Sequence, residues 1–160
     1  MITAENSSNE NRLSDVISAI QVMAVYKFYK LDFKGWADRI CGDEAEAAHW
    51  KTLFKEHPEF FRLDQKRERA SLVWRRTFPK NYNVDTEAAI SVKLASLSEE
   101  ERERISRRPL TNEDISTLMN TAIHLHSKAL EQKQERRWWI PGVLGFAAGL
   151  VPFVLKLVFE

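Results

Sequence analysis

Residues 61–75 read FRLDQKRERASLVWR. Phe61, Leu63, Leu72 and Trp74 alternate with Arg62, Asp64, Val73 and Arg75, the two-residue period of a strand. Between them Gln65-Lys66-Arg67-Glu68-Arg69 is polar throughout and unfit for a core. Two short strands joined by a charged tip predict a β-hairpin. The hairpin is also locally basic. Arg62, Lys66, Arg67, Arg69, Arg75, Arg76 and Lys80 face only Asp64 and Glu68. Such a tip is a candidate contact for phosphates, anionic lipid headgroups or an acidic protein.

Upstream of the hairpin the period changes to that of helices. Met1 to Asn11 is polar and predicts a disordered leader. Leu13, Val16, Ile17, Ile20, Ala24 and Phe28 then recur at steps of three and four, predicting a helix to about Leu31 with Asn11 or Ser14 as its cap. Asp32 can cap a second helix that carries Phe33, Trp36, Ala37 and Ile40 on one face and ends at Gly42. A third runs from Glu44 to Glu56, with Ala47, Trp50, Leu53 and Phe54 inward, and Pro58 closes it. Three helices followed by a β-hairpin resemble the winged-helix domain, the helix-turn-helix variant with a wing, over residues 13–78. The resemblance rests on element order. It implies a wing that touches phosphates and a third helix that enters the major groove. The third helix opposes the second implication, because Asp43, Glu44, Glu46 and Glu56 face only Lys51 and Lys55, and no Arg is present to read guanine.

Downstream, residues 79–85 read as a loop with Asn81 and Asn83 as turn formers. Ala88, Ala89, Ile90, Leu94 and Leu97 lean towards helix over 86–97. Ser98 with Glu101 makes a capping box for a short charged helix that Pro109 ends. Thr111 and Asp114 make a second box, with Leu110 and Ile115 spaced as a hydrophobic staple across it. The helix they start carries Ile115, Leu118, Met119, Ala122, Leu125 and Ala129 inward, and its polar end reaches residue 137 as a stalk.

Residues 138–159 read WWIPGVLGFAAGLVPFVLKLVF, with Lys156 the one charge. A bilayer core of ~30 Å needs about twenty mostly apolar helical residues. Arg136 and Arg137 precede Trp138 and Trp139, the order of headgroup charge then aromatic belt. The stretch therefore predicts a single C-terminal membrane anchor. Lys133, Arg136 and Arg137 against Lys156 place the N-terminal side in the cytoplasm. Gly145 and Gly149 form a small-xxx-small pair suited to helix association, so a homodimer is a candidate assembly.

The formal net charge is +1, so no global field recruits a polyanion. Cys41 is the single cysteine, which excludes an intrachain disulfide, and it reads as a small buried hydrophobe. No apolar run suggests a cleaved signal peptide. His49, His57, His124 and His126 match no metal spacing, and no phosphate loop or nucleophile motif is present. No catalytic residue, metal or cofactor is expected. Trp36, Trp50 and Trp74 lie on apolar faces and predict a shared core cluster.

The expected fold is mainly α. A winged-helix-like domain occupies 12–80, a loop and short helices 81–110, a stalk 111–137 and a transmembrane helix 138–159. The expected function is a membrane-tethered, non-catalytic interaction or regulatory module that meets membrane lipids and a protein partner. The alternative is a membrane-bound, DNA-binding regulator that uses the basic hairpin.

Overall fold

The apolar steps from Leu13 onward form a helix, and Val16, Ala19, Ile20, Met23 and Ala24 are its buried face. The computed structural model describes residues 2–132 and residue 135. In it this helix, α1 (Ile2–Val25), begins at Ile2, so most of the expected leader continues it. The helix ends at Val25, short of Leu31. The following Tyr26-Lys27-Phe28-Tyr29 run is rich in aromatics, which lose side-chain freedom in a helix. Residues after it make an unexpected strand, β1 (Lys30–Asp32).

Asp32 then starts α2 (Phe33–Cys41) as anticipated, its Oδ1 accepting from the Gly35 N–H at 2.7 Å. A Cβ on Gly35 would lie 2.9 Å from that oxygen, so a larger residue there would make the Asp32 side chain shift. Gly42 closes the helix at φ 76°, with its N–H on the Asp38 carbonyl. A 3-10 turn over Glu44–Glu46 leads into α3 (Ala47–Glu56). The hairpin follows as β2 (Phe61–Leu63) and β3 (Arg69–Leu72). All strands pair antiparallel in the order β1-β3-β2. As the central strand β3 is covered on both faces, and Ala70, Ser71 and Leu72 are all buried, which ends the expected alternation. Trp74–Thr77 turns as a 3-10 helix instead of extending the strand.

Residues 86–97 do not form the helix that their apolar residues favoured. The Asn83 side chain accepts from the Asp85 and Thr86 amides, and Glu87 adopts φ 51°. That tight turn joins β4 (Tyr82–Asn83) to β5 (Ala88–Ala89). The capping box of Ser98 and Glu101 starts α4 (Glu99–Glu103), and β6 (Ile105–Ser106) then pairs on β4. The second sheet thus has the order β5-β4-β6.

Thr111 and Asp114 form the anticipated reciprocal cap, at 3.1 and 3.2 Å, at the head of α5, residues 112–132. Leu118 and Ala122 are buried, and Ile115 and Met119 pack against the core. The face expected to point inward is therefore taken up by the protein's own core as far as Ala122. The first compact unit ends at that residue. Of the second unit, 123–132 and 135 are described, all helical, with Ile123, Leu125 and Leu130 exposed.

Trp36 and Trp50 are buried in one cluster with Phe33, Leu53, Phe54 and Phe61, and Trp74 packs against it. The Trp36 Nε1–H reaches the Ala70 carbonyl at 2.9 Å, tying α2 to the central strand.

Among the described residues no helix is long and apolar enough to cross a membrane. The two long helices carry charges along their length, such as Glu10, Arg12 and Asp15 in α1 and Glu113, Asp114 and Lys128 in α5. The expected fold class is corrected accordingly: the architecture is helical with two small antiparallel sheets, and the membrane-anchored, single-pass description is withdrawn. The segment 138–159, with Arg136, Arg137, Trp138, Trp139, Lys156 and the Gly145–Gly149 pair, lies outside the described residues.

Candidate anion-binding groove

The tip of the hairpin is organised by Asp64. Its Oδ1 accepts from the Glu68 amide at 3.0 Å and the Arg69 amide at 3.3 Å, while its own N–H donates to the Arg69 carbonyl at 3.0 Å. The Glu68 amide is the main cause holding this carboxyl below its usual pKa. The Arg69 amide and the charges of Lys30 and Arg69 add to it, against some loss of solvation. Arg67 sits at the apex with φ 57°, and its N–H donates to the Asp64 carbonyl at 3.0 Å. For a residue with a Cβ the left-handed region costs about 1 kcal/mol. Glycine or asparagine would be the natural choice there, yet the position holds an arginine.

Beside this tip lies an open groove of about 1110 Å³. The end of α3 supplies Phe54, Lys55 and Pro58, β2 supplies Phe61, Arg62 and Leu63, and the tip supplies Asp64 to Arg67. Tyr29, Lys30, Arg76 and Arg107 complete the wall. Seven of these residues are cations and one, Asp64, is acidic. None of the seven makes an ion pair with a carboxylate among the described residues. The single acid is itself occupied by backbone amides, so the groove presents positive charge with little internal compensation. Electrostatic focusing in a concave, partly apolar wall raises the local concentration of anions.

The seven basic positions anticipated in the sequence divide three ways. Arg62, Lys66, Arg67 and Arg76 line the groove and are exposed. Arg69 and Lys80 are exposed but lie outside its wall. Arg75 is not a surface contact at all, being fully buried. Its guanidinium donates to four carbonyls: Met23 at 3.0 Å, Tyr26 at 2.6 Å, Arg107 at 2.5 Å and Arg108 at 3.2 Å. Two of these lie at the C-terminal end of α1, where carbonyls have no intrahelical partner and the dipole favours a cation. Burial lowers the Arg75 pKa to about 10, so it remains charged at neutral pH, with Tyr82 acting weakly in the opposite sense. The same region is sewn by the Leu110 N–H on the Ala24 carbonyl at 3.0 Å and the Tyr29 N–H on Ser106 Oγ at 3.1 Å.

Three groove cations escaped the sequence reading: Lys30, Lys55 and Arg107. Lys30 and Arg107 lie far along the chain from the hairpin, so no local charge density marks them. Lys55 reads in the sequence as a counter-charge on the third helix. Arg107 is partly engaged, since its Nη1 donates to the Arg76 carbonyl at 2.7 Å and to the Phe78 carbonyl. Its guanidinium also covers the Tyr29 ring at 5.1 Å, and its buried Nε has no partner among the described residues.

His49 pairs with Asp15 at 3.0 Å and His57 with Glu59 at 2.9 Å, and no group of three metal-ligating side chains occurs among the described residues. Cys41 is exposed where a buried hydrophobe was expected. Its Sγ contacts the Ala37 carbonyl at 3.1 Å and accepts from the Trp50 Nε1–H at 3.4 Å. Comparison with known proteins finds no matching family model, no matching curated protein and no matching solved structure, so the chemistry of the groove rests on its own residues.

Proposed function

We propose that this protein is a non-catalytic interaction module, winged-helix-like in its element order, that binds an anionic macromolecule in the groove beside the β2–β3 hairpin. One observation carries this reading: seven cations line one concavity, and the lone carboxylate among them is tied to backbone amides. Surface cations are ordinarily interspersed with acids, and the near-neutral net charge makes this segregation specific to one face.

Duplex DNA is the less favoured ligand. Asp43, Glu44 and Glu46 stand exposed at the start of α3, where a helix entering the major groove would meet phosphates. The test is a titration of the full chain with fluorescein-labelled polyglutamate over a salt series, read by anisotropy. The expected result is affinity that falls steeply as salt rises. Absence of binding at low salt, to polyglutamate and to duplex DNA alike, would end this reading.

A further inference from the structure

We propose that the free edge of β2 takes an extended acidic peptide as an added strand, its carboxylates meeting the cations of the groove. This rests on the reading of the groove as the anion site, and it adds the ligand's conformation and class.

β2 is an edge strand, because the sheet order is β1-β3-β2. Its ladder with β3 fixes which main-chain groups face outward. The Val73 N–H donates to the Phe60 carbonyl at 2.8 Å, and the Asp64 N–H donates to the Arg69 carbonyl at 3.0 Å. Arg62 lies opposite Ser71, midway between these two pairs. Hydrogen-bonded pairs alternate with non-bonded ones along an antiparallel ladder. Phe60, Arg62 and Asp64 therefore direct their main-chain groups at β3, while Phe61 and Leu63 direct theirs away. The Phe61 N–H is taken by the His57 carbonyl at 3.0 Å. Left on the edge are the Leu63 N–H and C=O and the Phe61 C=O. One donor between two acceptors is the array that strand addition uses.

The groove runs along this edge, since Phe61, Arg62, Leu63 and Asp64 all line it. Arg62 is exposed mid-strand, and Lys55, Lys66 and Arg67 stand exposed around it. Opposite charges across neighbouring strands attract and like charges repel. An incoming strand with Glu or Asp at alternate positions satisfies both the edge and the rim. A second copy pairing edge to edge would set Arg62 against Arg62. Single-stranded nucleic acid needs open aromatic faces. Here Phe54 and Phe61 are buried and Tyr29 lies under Arg107.

The experiment uses the full chain and two synthetic peptides of alternating Glu and Val, one ordinary and one N-methylated at every amide. Methylation keeps the charge and removes the donors that strand pairing needs. Binding is read by anisotropy, and the exchange of the Leu63 amide by NMR. The expected results are slowed exchange at Leu63 in the complex and about tenfold weaker binding of the methylated peptide. Equal affinity of the two peptides, or unchanged exchange at Leu63 in a saturated complex, overturns strand addition while leaving the groove as an anion site. Binding of duplex DNA but not of the ordinary peptide overturns this inference and leaves the groove as an anion site. Failure of every polyanion to bind removes the groove reading itself, and this inference with it.

Discussion

Arg67 and Arg75 belong to one basic stretch and have opposite fates. Arg67 sits exposed at a hairpin apex, in a backbone conformation that its side chain disfavours. Arg75 is fully buried, and its guanidinium holds four carbonyls from two chain segments. The first adds little that folding needs and stands where a ligand can reach it. The second is structural and reaches no ligand. Charge density along a sequence therefore locates a surface only after the buried members are removed from it.

The largest effect expected from this contrast is at Arg75. Arg75→Met keeps the volume and removes every donor, leaving buried carbonyls that each cost ~1–3 kcal/mol when unsatisfied. Unfolding in guanidinium chloride should show a loss of about 3 kcal/mol or more, with Arg75→Lys recovering only part, since one ammonium cannot replace a planar fork. A Met variant as stable as the parent would mean that the four contacts contribute nothing.

A smaller effect, of opposite sign, is expected at the apex. Arg67→Gly relieves the left-handed strain and should leave stability unchanged or raise it by about 1 kcal/mol. The same change should weaken polyglutamate binding about threefold, the scale of one exposed charge contact. If affinity is unchanged, Arg67 is a turn residue only.

The smallest concerns pH. The Asp64 carboxyl has a lowered pKa in the folded protein, so its stabilisation of the tip is complete above the ordinary carboxylate range. It is lost as pH falls through the folded value. Amide exchange at Glu68 and Arg69, corrected for intrinsic rates, should accelerate there relative to the rest of the hairpin. Parallel behaviour of the whole hairpin would show that Asp64 does not organise the tip.

Much of this fold is legible from short signals. Asp32 and Gly42 bracket α2, Ser98 with Glu101 starts α4, and Thr111 with Asp114 starts α5, because caps are read within one turn of chain. The period-two pattern around the charged tip gives the hairpin. β1 leaves no local signal, because it is three residues long and its partner, β3, lies some forty residues ahead. β4, β5 and β6 are two residues each, too short for any period to show. Four groove cations were visible as one basic run, whereas Lys30 and Arg107 join them only through tertiary pairing. Nothing local distinguishes Arg75 from Arg76, one buried and the other exposed. The difference is set by the carbonyls of α1 and of residues 107–108, which fold around the first of the two.

The most direct test of the groove as a binding site is the charge-reversal pair Arg62→Glu with Lys66→Glu. Both side chains are exposed and make no ion pair among the described residues, so the free energy of unfolding should stay within about 0.5 kcal/mol of the parent. Titrated with labelled polyglutamate at low salt, the folded variant should show no measurable binding. Binding of the variant with the parent's affinity and salt dependence would contradict the assignment of this groove as the site.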